Sequence, residues 1–309
     1  MKALVSGGSG FIGSNVTKML LSKGVDVVVF DNLSSGNFDN IRNLKVEFIE
    51  GDILDKDVIK DACKGVDLVF HLAASVGRQR SIDYPQLDSE INLIGTINLL
   101  EGMRANGVKK IVYSSSAAIF GELKSPEIDE NHPQNADSPY GVSKLAAEKM
   151  ILSYSGIYDI TAVCLRYFNI YGVNQRFDLY GNVIPIFAHR LFAGEPLLIY
   201  GDGTQTRDFV NVYDVARANV LAGLEYSKTE VFNLGSGESI TINDLAQLMQ
   251  DISGIDNGII YLPERKADVK HCKANANKVA DKMKFKTVVS LEKGLSEYIE
   301  WYKNNIVGR

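Results

Sequence analysis

Gly7-Gly8-Ser9-Gly10-Phe11-Ile12-Gly13 directly follows a short apolar run, Lys2 to Ser6, and opens a helix-length amphipathic segment. The glycines at 7, 10 and 13 form a Gly-x-x-Gly-x-x-Gly pattern between a predicted strand and a predicted helix. Without side chains the backbone can approach a pyrophosphate, and the helix N-terminus supplies N–H donors and a partial positive charge. The stretch predicts a dinucleotide-binding turn; the alternative is a merely tight strand-to-helix turn.

The first half of the chain continues this alternation of buried strand and amphipathic helix. Further strands are predicted at Val25 to Phe30, Val46 to Ile49, Asp67 to Leu72 and Lys110 to Ser114. Such alternation is typical of a parallel sheet covered by helices on both faces. The predicted fold class is α/β, a Rossmann-like doubly wound parallel sheet with a smaller C-terminal α/β substrate-binding lobe.

The domain organisation is less regular than the first half suggests. At 309 residues the chain exceeds the usual size of one hydrophobic core. Strand spacing becomes irregular after Arg166, yet Val231 to Leu234 again resembles a buried strand. We predict a cofactor-binding domain at residues 1–168, with return segments at about 205–235, and a substrate-binding lobe formed mainly by residues 169–309.

Composition excludes several function classes. The net charge is −5 and no Lys/Arg-rich run occurs, so neither nucleic acid nor a membrane surface is an expected partner. The three cysteines are far apart without CxxC spacing, which favours a reducing compartment, and the four histidines lack ligand spacing, so no metal is expected. Glycines interrupt the N-terminal apolar run too early for a signal or a membrane span, so we expect a cytoplasmic protein.

Asp31 ends the second predicted strand, near the roughly 20-residue spacing expected for a ribose-binding carboxylate. A carboxylate there can accept hydrogen bonds from both ribose hydroxyls but would repel a 2′-phosphate, which favours NAD over NADP. Asp52 follows the third strand, where it could pair with the adenine amino group or simply cap a turn.

Candidate catalytic residues lie at a helix start and a strand end. Ser138-Pro139 predicts a helix N-terminus, which places Tyr140 in the first turn and Lys144 one turn later on the same face. The ammonium and the helix terminus both favour the phenolate, so the tyrosine could act as a base nearer neutrality. Ser116, at the end of strand five, could share the substrate proton. The alternatives are a surface Tyr–Lys pair and a serine-rich strand end.

Taken together, these stretches resemble the extended short-chain dehydrogenases/reductases, specifically the nucleotide-sugar 4-epimerases acting on UDP-glucose or UDP-N-acetylglucosamine. The resemblance covers nearly the whole chain. The matching stretches are Gly7 to Gly13, Asp31-Asn32-Leu33, His71 to Ala74, Ser114 to Gly121, Tyr140 to Lys144, Arg166 to Asn169 and Gly201 to Val210.

The resemblance implies an isomerase mechanism. Tyr140 removes the 4-hydroxyl proton while hydride passes from C4 to NAD, Ser116 assists, and Lys144 holds the nicotinamide ribose. The 4-keto sugar then rotates about its diphosphate link and takes the hydride back on its other face. The cofactor contacts implied are Gly7, Gly10, Phe11, Ile12, Gly13, Asp31, Asn32, Asp52, Ile53, Leu72, Ala73, Ala74, Asn92, Ser114, Tyr140, Lys144 and Tyr167.

The resemblance also implies how a UDP-sugar is held. Arg207 and Arg265 match diphosphate-binding arginines, Asn169 matches an asparagine at the diphosphate, and Asn182 opens the uracil-side loop and helix. Cys272 matches a position whose size limits the room beside the sugar C2, so we hypothesise that N-acetylhexosamines fit; a packed small apolar residue is the alternative. The full substrate set is Ser116, Tyr140, Asn169, Asn182, Val183, Arg207, Arg265, Asp268 and Cys272.

Competing functions are separated by single positions. Related dehydratases and decarboxylases carry an acidic residue after the catalytic hydroxyl, whereas Ala117-Ala118 stands here, so return of the hydride is favoured. A UDP-glucuronate 4-epimerase or another dehydratase or decarboxylase remains an alternative, and a non-catalytic NAD-binding module a remote one. Arg78 and Arg80 could meet a phosphate or a sugar carboxylate, or lie in a solvated loop.

Two positions depart from the common family pattern. Phe120 replaces a tyrosine, and Lys266-Ala267-Asp268 replaces the frequent Pro-Gly-Asp or Glu-Gly-Asp. Neither change touches the proposed hydride chemistry. The resemblance further implies a homodimer that pairs helices near Leu87 to Arg104 and Pro139 to Tyr154.

Overall fold

The computed structural model describes residues 1–121, 123, 125, 127–178, 181–264 and 270–308. Arg265 and Asp268, both predicted to bind substrate, therefore lie outside the described residues, as does Ala267.

The strands come in chain order as follows: β1 Lys2–Ser6, β2 Asp26–Asp31, β3 Glu47–Glu50, β4 Leu68–His71, β5 Lys110–Ser116, β6 Glu127–Ile128, β7 Thr161–Tyr167, β8 Asn169–Tyr171, β9 Leu197–Tyr200, β10 Thr206–Arg207, β11 Phe209–Asn211, β12 Glu230–Leu234, β13 Ile240–Thr241, β14 Ile259–Leu262 and β15 Lys273–Ala274.

The α-helices are α1 Phe11–Ser22, α2 Lys56–Ala62, α3 Arg78–Asp83, α4 Pro85–Ser89, α5 Gly95–Asn106, α6 Pro139–Tyr158, α7 Val183–Phe192, α8 Val212–Leu224, α9 Ile242–Ser253, α10 Asn277–Met283 and α11 Leu291–Tyr302. Short 3₁₀ turns occur at Phe38–Asn40 and Ala117–Phe120, and π-helical turns at Glu90–Ile94 and Lys303–Val307.

Seven of the described strands form one sheet in the order β12-β7-β5-β4-β1-β2-β3. The pairs from β3 to β7 are parallel. The chain runs outward from β1 to β3 and then returns to the other side of β1 at β4, so the topological switch point lies between β1 and β4. In such sheets ligands bind beyond the carboxyl ends of the strands at that point. The predicted doubly wound α/β fold is confirmed.

The strands of this sheet are apolar along their length because both faces are covered. Val27 to Phe30 in β2 and Ala3 to Val5 in β1 are all buried, which is the pattern of a parallel sheet between helices rather than of alternating exposure. The observed strands begin and end within two residues of the predicted ones, and β12 joins the sheet beside β7.

Contacts divide the chain into two compact units. Unit 1 comprises Met1–Gly121, Pro133–Tyr167 and Val215–Phe232, and unit 2 comprises Glu122–His132, Phe168–Asp214 and Asn233–Arg309. Unit 1 has a core that includes Leu4, Val28, Leu99, Ile111 and Ala147. Unit 2 has its own core, built from α7, β9, α9 and α11 around Phe187, Leu197, Leu245 and Tyr298.

Among the residues described, the structure contains no helix that combines the length and the apolar character needed to cross a bilayer.

Candidate active site

The glycine turn between β1 and α1 leaves no room for side chains. Gly7 has φ of +71°, and a Cβ built on it would stand 2.7 Å from the backbone nitrogen of Ala73. A Cβ on Gly13 would overlap the carbonyl oxygen of Gly7. Gly10 is the N-cap of α1 and has no side chain to satisfy the first N–H groups of the helix. The turn therefore presents backbone donors to an anion at close range, which fits the pyrophosphate of a dinucleotide.

Asp31 lies at the end of β2, beside this turn. Its carboxylate accepts hydrogen bonds from the backbone N–H groups of Ser9 and Leu33, both at 2.9 Å. Burial raises the pKa of Asp31, although these backbone donors act in the opposite direction. The backbone of Gly10 also bonds to this carboxylate. An ionised carboxylate has about four acceptor positions, so about one remains for a ribose hydroxyl. Asp31, the predicted ribose-binding residue, thus also connects the glycine turn to β2.

The next two predicted cofactor residues pair with each other. Asn32 donates a hydrogen bond to Asp52 at 2.9 Å, and Asp52 also accepts the N–H of Leu54 at 2.8 Å. Ile53 is buried, and its carbonyl accepts a bond from Asn98 at 3.1 Å. The structure therefore brings the ends of β2 and β3 together, as expected of an adenosine-binding edge.

The ends of β1 and β4 meet at the switch point through a buried histidine. His71 hydrogen-bonds with Ser6 at 2.8 Å and with Thr96 at 2.9 Å. Burial, reinforced by the charge of Lys144, lowers the pKa of His71 to about 3, so its ring is neutral near pH 7. Directly after it, the N–H of Leu72 donates to Ser6 at 3.0 Å. This linkage positions Leu72, Ala73 and Ala74 against the glycine turn.

Ser114 and Tyr167, also predicted near the cofactor, make internal bonds. The Ser114 hydroxyl donates to the carbonyl of His71 at 3.0 Å, and the Tyr167 hydroxyl donates to Asn219 at 2.9 Å. Both side chains are buried. Their placement fixes the carboxyl ends of β5 and β7 relative to their neighbours.

The predicted catalytic residues converge at the carboxyl end of β5. Ser138 caps α6 by accepting the N–H of Gly141 at 3.2 Å, and Pro139 stands at its first position. Tyr140 therefore lies in the first turn and forms a side-chain hydrogen bond with Ser116, the last residue of β5. Lys144 follows one turn later and is buried, with its ammonium 4.4 Å from the centroid of the Tyr113 ring.

The electrostatics of this group differ from the expectation for Tyr140. Burial raises the pKa of Tyr140 to about 12; the hydrogen bond from Ser116 lowers it and the charge of Asp88 raises it. Burial also lowers the pKa of Lys144 to about 7, against the opposing effect of Asp88. In the protein alone, desolvation therefore outweighs the ammonium and helix-terminus effects that predicted a lowered phenol pKa.

A buried ion pair that sequence reasoning missed anchors the catalytic helix. Glu148, one turn beyond Lys144, receives Arg166 at 2.7 Å and 3.1 Å and the hydroxyl of Ser115 at 2.6 Å. Glu148 and Arg166 are 0% and 1% exposed, and the guanidinium lies 5.3 Å from the ring centroid of Phe120. The pair connects α6 to β5 and β7.

Asn92, predicted to contact the cofactor, is engaged inside the protein. It lies in the π-helical turn between α4 and α5, and its amide exchanges hydrogen bonds with the backbone of Ser75 at 2.9 Å and 3.0 Å. The same amide donates to Ser143 at 3.0 Å and to Asp88 at 3.2 Å. π-Turns within helices are frequent at functional sites. Asn92 thus joins the loop after β4 to the catalytic helix.

The loop that contains Arg78 meets a carboxylate of the protein itself. The guanidinium of Arg78 lies 3.0 Å from both carboxylate oxygens of Asp137, the residue before the N-cap of α6. Both side chains are partly exposed. The ion pair connects α3 to the start of the catalytic helix and neutralises a charge that could otherwise have met an anionic substrate.

Three predicted substrate residues in unit 2 are gathered around Asp208. The carbonyl of Asp208 accepts two bonds from Asn169, at 3.0 Å and 3.2 Å. Its fully buried carboxylate accepts bonds from Ser236, Gly237 and Ala274 at 2.7–3.0 Å. Arg207 directly precedes Asp208, and Cys272 lies two residues before Ala274. The bonds of Asp208 therefore help to position both Arg207 and Cys272.

Arg207 and Cys272 are electrostatic neighbours. Burial raises the pKa of Cys272 to about 12, while the charge of Arg207 acts to lower it. Thr206, the residue before Arg207, forms a β-bridge with His271, the residue before Cys272. The thiol is neutral and only partly exposed. Asn182 is the exposed N-cap of α7, with Val183 as the first helical residue, and its side chain makes no capping bond.

Comparison with known proteins identifies the family to which the chain belongs. The chain matches the NAD dependent epimerase/dehydratase family over residues 3–235. It is 40% identical to a putative UDP-glucose 4-epimerase of Methanocaldococcus jannaschii, over 98% of both chains. It superposes with a TM-score of 0.95 on a UDP-glucose 4-epimerase of Thermotoga maritima solved with UDP-glucose, at 38% identity and covering 99% of this chain and 100% of that one.

A third relative is named for a different sugar. It is a UDP-N-acetylglucosamine 4-epimerase of Methanobrevibacter ruminantium, solved in complex with UDP-N-acetylmuramic acid; the TM-score is 0.94, the identity 34%, and 99% of each chain is covered. The glycine turn and Asp31 provide the structural fit for NAD, the cofactor of the family. The chain is therefore an NAD-dependent epimerase and belongs to the NAD dependent epimerase/dehydratase family.

Proposed function

We propose that the protein inverts C4 of a UDP-sugar through a transient 4-keto intermediate. The observation that carries the proposal is the hydrogen bond between Ser116 and Tyr140, with the buried ammonium of Lys144 one turn further along α6. Alanines follow Ser116, so no carboxyl group stands at the position that related dehydratases use. Relatives named UDP-glucose 4-epimerase over nearly the whole chain support the same reaction.

The residues of the site divide the proton handling. Burial keeps the Tyr140 phenol neutral in the protein alone. In the reactive complex Tyr140 is the phenolate that takes the proton of the 4-hydroxyl group, and Ser116 stabilises this phenolate by hydrogen bonding. Lys144 would hold the nicotinamide ribose of bound NAD, and its positive charge would favour the phenolate. NAD, when bound, accepts the C4 hydride and makes it available for return. Returning the proton from Tyr140 completes the cycle, so the protein ends each turnover in its starting protonation state.

For the sugar, we propose UDP-glucose and UDP-galactose together with their N-acetylhexosamine counterparts. The small side chain of Cys272, next to Arg207 in unit 2, supports space for an acetamido group. A uronate substrate is less favoured because Arg78 is already paired with Asp137. Cys272→Tyr should abolish turnover of UDP-N-acetylglucosamine and spare that of UDP-glucose. Equal activity of this variant on both sugars would contradict the role of Cys272 as a size gate.

The decisive experiment is Tyr140→Phe, assayed with UDP-glucose, UDP-N-acetylglucosamine and UDP-glucuronate by NMR of the C4 configuration. We expect a loss of about 10²- to 10⁴-fold, the usual contribution of a general base. Tyr158→Phe, at the other end of the same helix, is the matched control and should retain activity. A stable 4-keto-6-deoxy product would indicate a dehydratase, and no turnover by the wild type would favour a binding module.

We also propose that the protein forms a homodimer through α4, α5 and α6. Leu87 on α4, Ile94 at the end of the π-helical turn before α5, and Val142 on α6 are 48%, 47% and 54% exposed, an unusual exposure for large apolar side chains. Light scattering after gel filtration should give twice the mass of 34.0 kDa, and Val142→Glu should shift the protein toward the monomer.

A further inference from the structure

Asp88 is a buried carboxylate close to the catalytic helix. It lies on α4, is 1% exposed, and accepts hydrogen bonds from the Ser143 hydroxyl at 2.6 Å and from Asn92 at 3.2 Å. The Ser75 side chain contributes a further hydrogen bond. Burying a carboxylate is costly unless hydrogen bonds and an opposite charge compensate. The three hydrogen bonds provide the first kind of compensation, and an opposite charge nearby would provide the second.

Lys144 supplies that charge. Burial raises the pKa of Asp88, whereas its hydrogen bonds and the charge of Lys144 lower it, and Asp88 in turn acts to raise the pKa of Lys144. Lys144 is 2% exposed and follows Ser143, the residue bonded to Asp88, directly in the chain. Both ions are therefore buried in the same small region.

Other ionisable groups around Lys144 do not provide a countercharge. Glu148 is already paired with Arg166. Cys164 stays a neutral thiol because burial raises its pKa well above the usual value, and burial likewise keeps the phenols of Tyr113 and Tyr140 neutral. His71 is neutral as well, because its pKa is lowered to about 3. Within the described residues, Asp88 is thus the carboxylate left to balance the ammonium.

The same contacts also fix the geometry of α6. The Ser143 hydroxyl lies 2.6 Å from Asp88 and 3.1 Å from the carbonyl of Tyr140, and it receives a bond from Asn92 at 3.0 Å. Asp88 and Asn92 are one turn apart on the run formed by α4, the π-helical turn and α5. Through Ser143, that run holds the turn of α6 which carries Tyr140 and Lys144.

We propose that Asp88 is a positioning residue of the reaction, whose buried charge keeps Lys144 in its ammonium form and whose bond to Ser143 fixes the catalytic turn of α6. The inference rests on the proposed function, in which Tyr140 is the base and Lys144 its cationic partner. Asp88 acts through these residues and needs no contact with the sugar.

The test compares Asp88→Asn with Asp83→Asn, the same substitution at an exposed position on the neighbouring helix α3. Proteins labelled with ¹⁵N at the lysine side chain are titrated by NMR, and the Lys144 signal is assigned by its absence from Lys144→Met. Removing a countercharge at close range should lower the titration midpoint of Lys144 by about one pH unit or more. Asp83→Asn should leave the midpoint unchanged. An unchanged midpoint in Asp88→Asn would overturn the proposal.

Turnover of UDP-glucose provides the second readout. The alkaline limb of the kcat profile of Asp88→Asn should move to lower pH by the same amount as the Lys144 midpoint, with KM nearly unchanged. A uniform loss of kcat at all pH values, with both limbs in place, would show a structural role only and contradict the proposal. If Asp88→Asn does not fold, Asp88→Ser, which is smaller and also neutral, should give the same displacement of the Lys144 midpoint.

The two proposals fail in different ways. The Lys144 midpoint is measured without turnover, so it tests Asp88 independently of the reaction. If Tyr140→Phe remains active, the proposed function fails whatever the Lys144 midpoint does. If Tyr140→Phe is inactive but Asp88→Asn leaves the midpoint in place, only the role of Asp88 fails.

Discussion

The glycine turn and the start of α6 lie in the same unit, but they are built in opposite ways. The turn works by lacking side chains: Gly7 and Gly13 let the backbone come close, and the carboxylate of Asp31 accepts a backbone hydrogen bond from the turn. The start of α6 depends on buried charged groups, including Lys144 and Glu148. The glycine turn follows from a few consecutive residues, whereas the catalytic turn needs several elements to pack correctly. The glycine turn should therefore be sensitive to added side-chain volume, and the start of α6 to the loss of a buried charge.

The largest effect should come from breaking the buried ion pair that anchors α6. Arg166→Met leaves Glu148 charged and unpaired, which should cost about 3–5 kcal/mol of the free energy of unfolding. Arg104→Met, which breaks the exposed pair with Glu101, should cost far less, because solvent screens an exposed ion pair. Urea denaturation measures both.

A double variant checks the physical reason for this cost. Arg166→Met combined with Glu148→Met should be less destabilised than Arg166→Met alone, because no unpaired charge is then buried. If the double variant loses as much free energy of unfolding as Arg166→Met and Glu148→Met lose together, the charge explanation is wrong and lost packing accounts for the cost.

An intermediate effect is expected from His71, which bonds to Ser6 beside the glycine turn and whose pKa is affected by Lys144 of α6. Its folded-state pKa of about 3 lies below its ordinary value of 6.5. Between these values the unfolded chain binds a proton that the folded protein does not, so stability is lost as pH falls. This contribution should reach about 1.4 kcal/mol per pH unit. His71→Gln should remove that slope relative to the wild type, whereas His271→Gln, at an exposed position, should leave it intact.

Added volume tests the glycine turn. In Gly13→Ala the new methyl group meets the carbonyl of Gly7, and the strain should cost about 1–3 kcal/mol. Because the displaced backbone belongs to the proposed pyrophosphate-binding turn, the affinity for NAD should fall by about 10- to 100-fold, which calorimetry measures. Gly156→Ala is the matched control: its methyl group would meet nothing within 4 Å, and α6 should gain up to about 1 kcal/mol. Normal NAD affinity of Gly13→Ala would refute the close-approach argument.

The smallest effect should come from the cap of the catalytic helix. Ser138→Ala removes the acceptor for the N–H of Gly141 and should cost about 1 kcal/mol. Ser290→Ala removes the equivalent cap of α11 and should cost a similar amount. Only Ser138→Ala should also lower kcat, since Tyr140 lies in the capped turn; equal activities of the two variants would show that the cap serves stability alone.

The sequence predicted those features that depend on neighbouring residues. Six of the seven strands of the central sheet come within two residues of the predicted positions because continuous apolar runs between glycine- and aspartate-rich turns are distinctive, whereas β7 was not predicted. The start of α6 follows from Ser138 and Pro139, whose effects act within one turn. Asp31 was likewise placed beside the glycine turn by strand length and spacing. For each of these, the physical cause lies within about 20 residues of the chain.

Only the tertiary structure decided the electrostatic state of the site. Asp88 and Lys144 are 56 positions apart in number (144 − 88), and Glu148 and Arg166 lie on a helix and a strand, so neither pairing follows from a local pattern. Burial raises the pKa of Tyr140, contrary to the sequence-based expectation, because desolvation depends on everything packed around the phenol. Sequence thus determined which groups carry the chemistry, and packing determined their charge, since the dielectric environment is a property of the assembled fold.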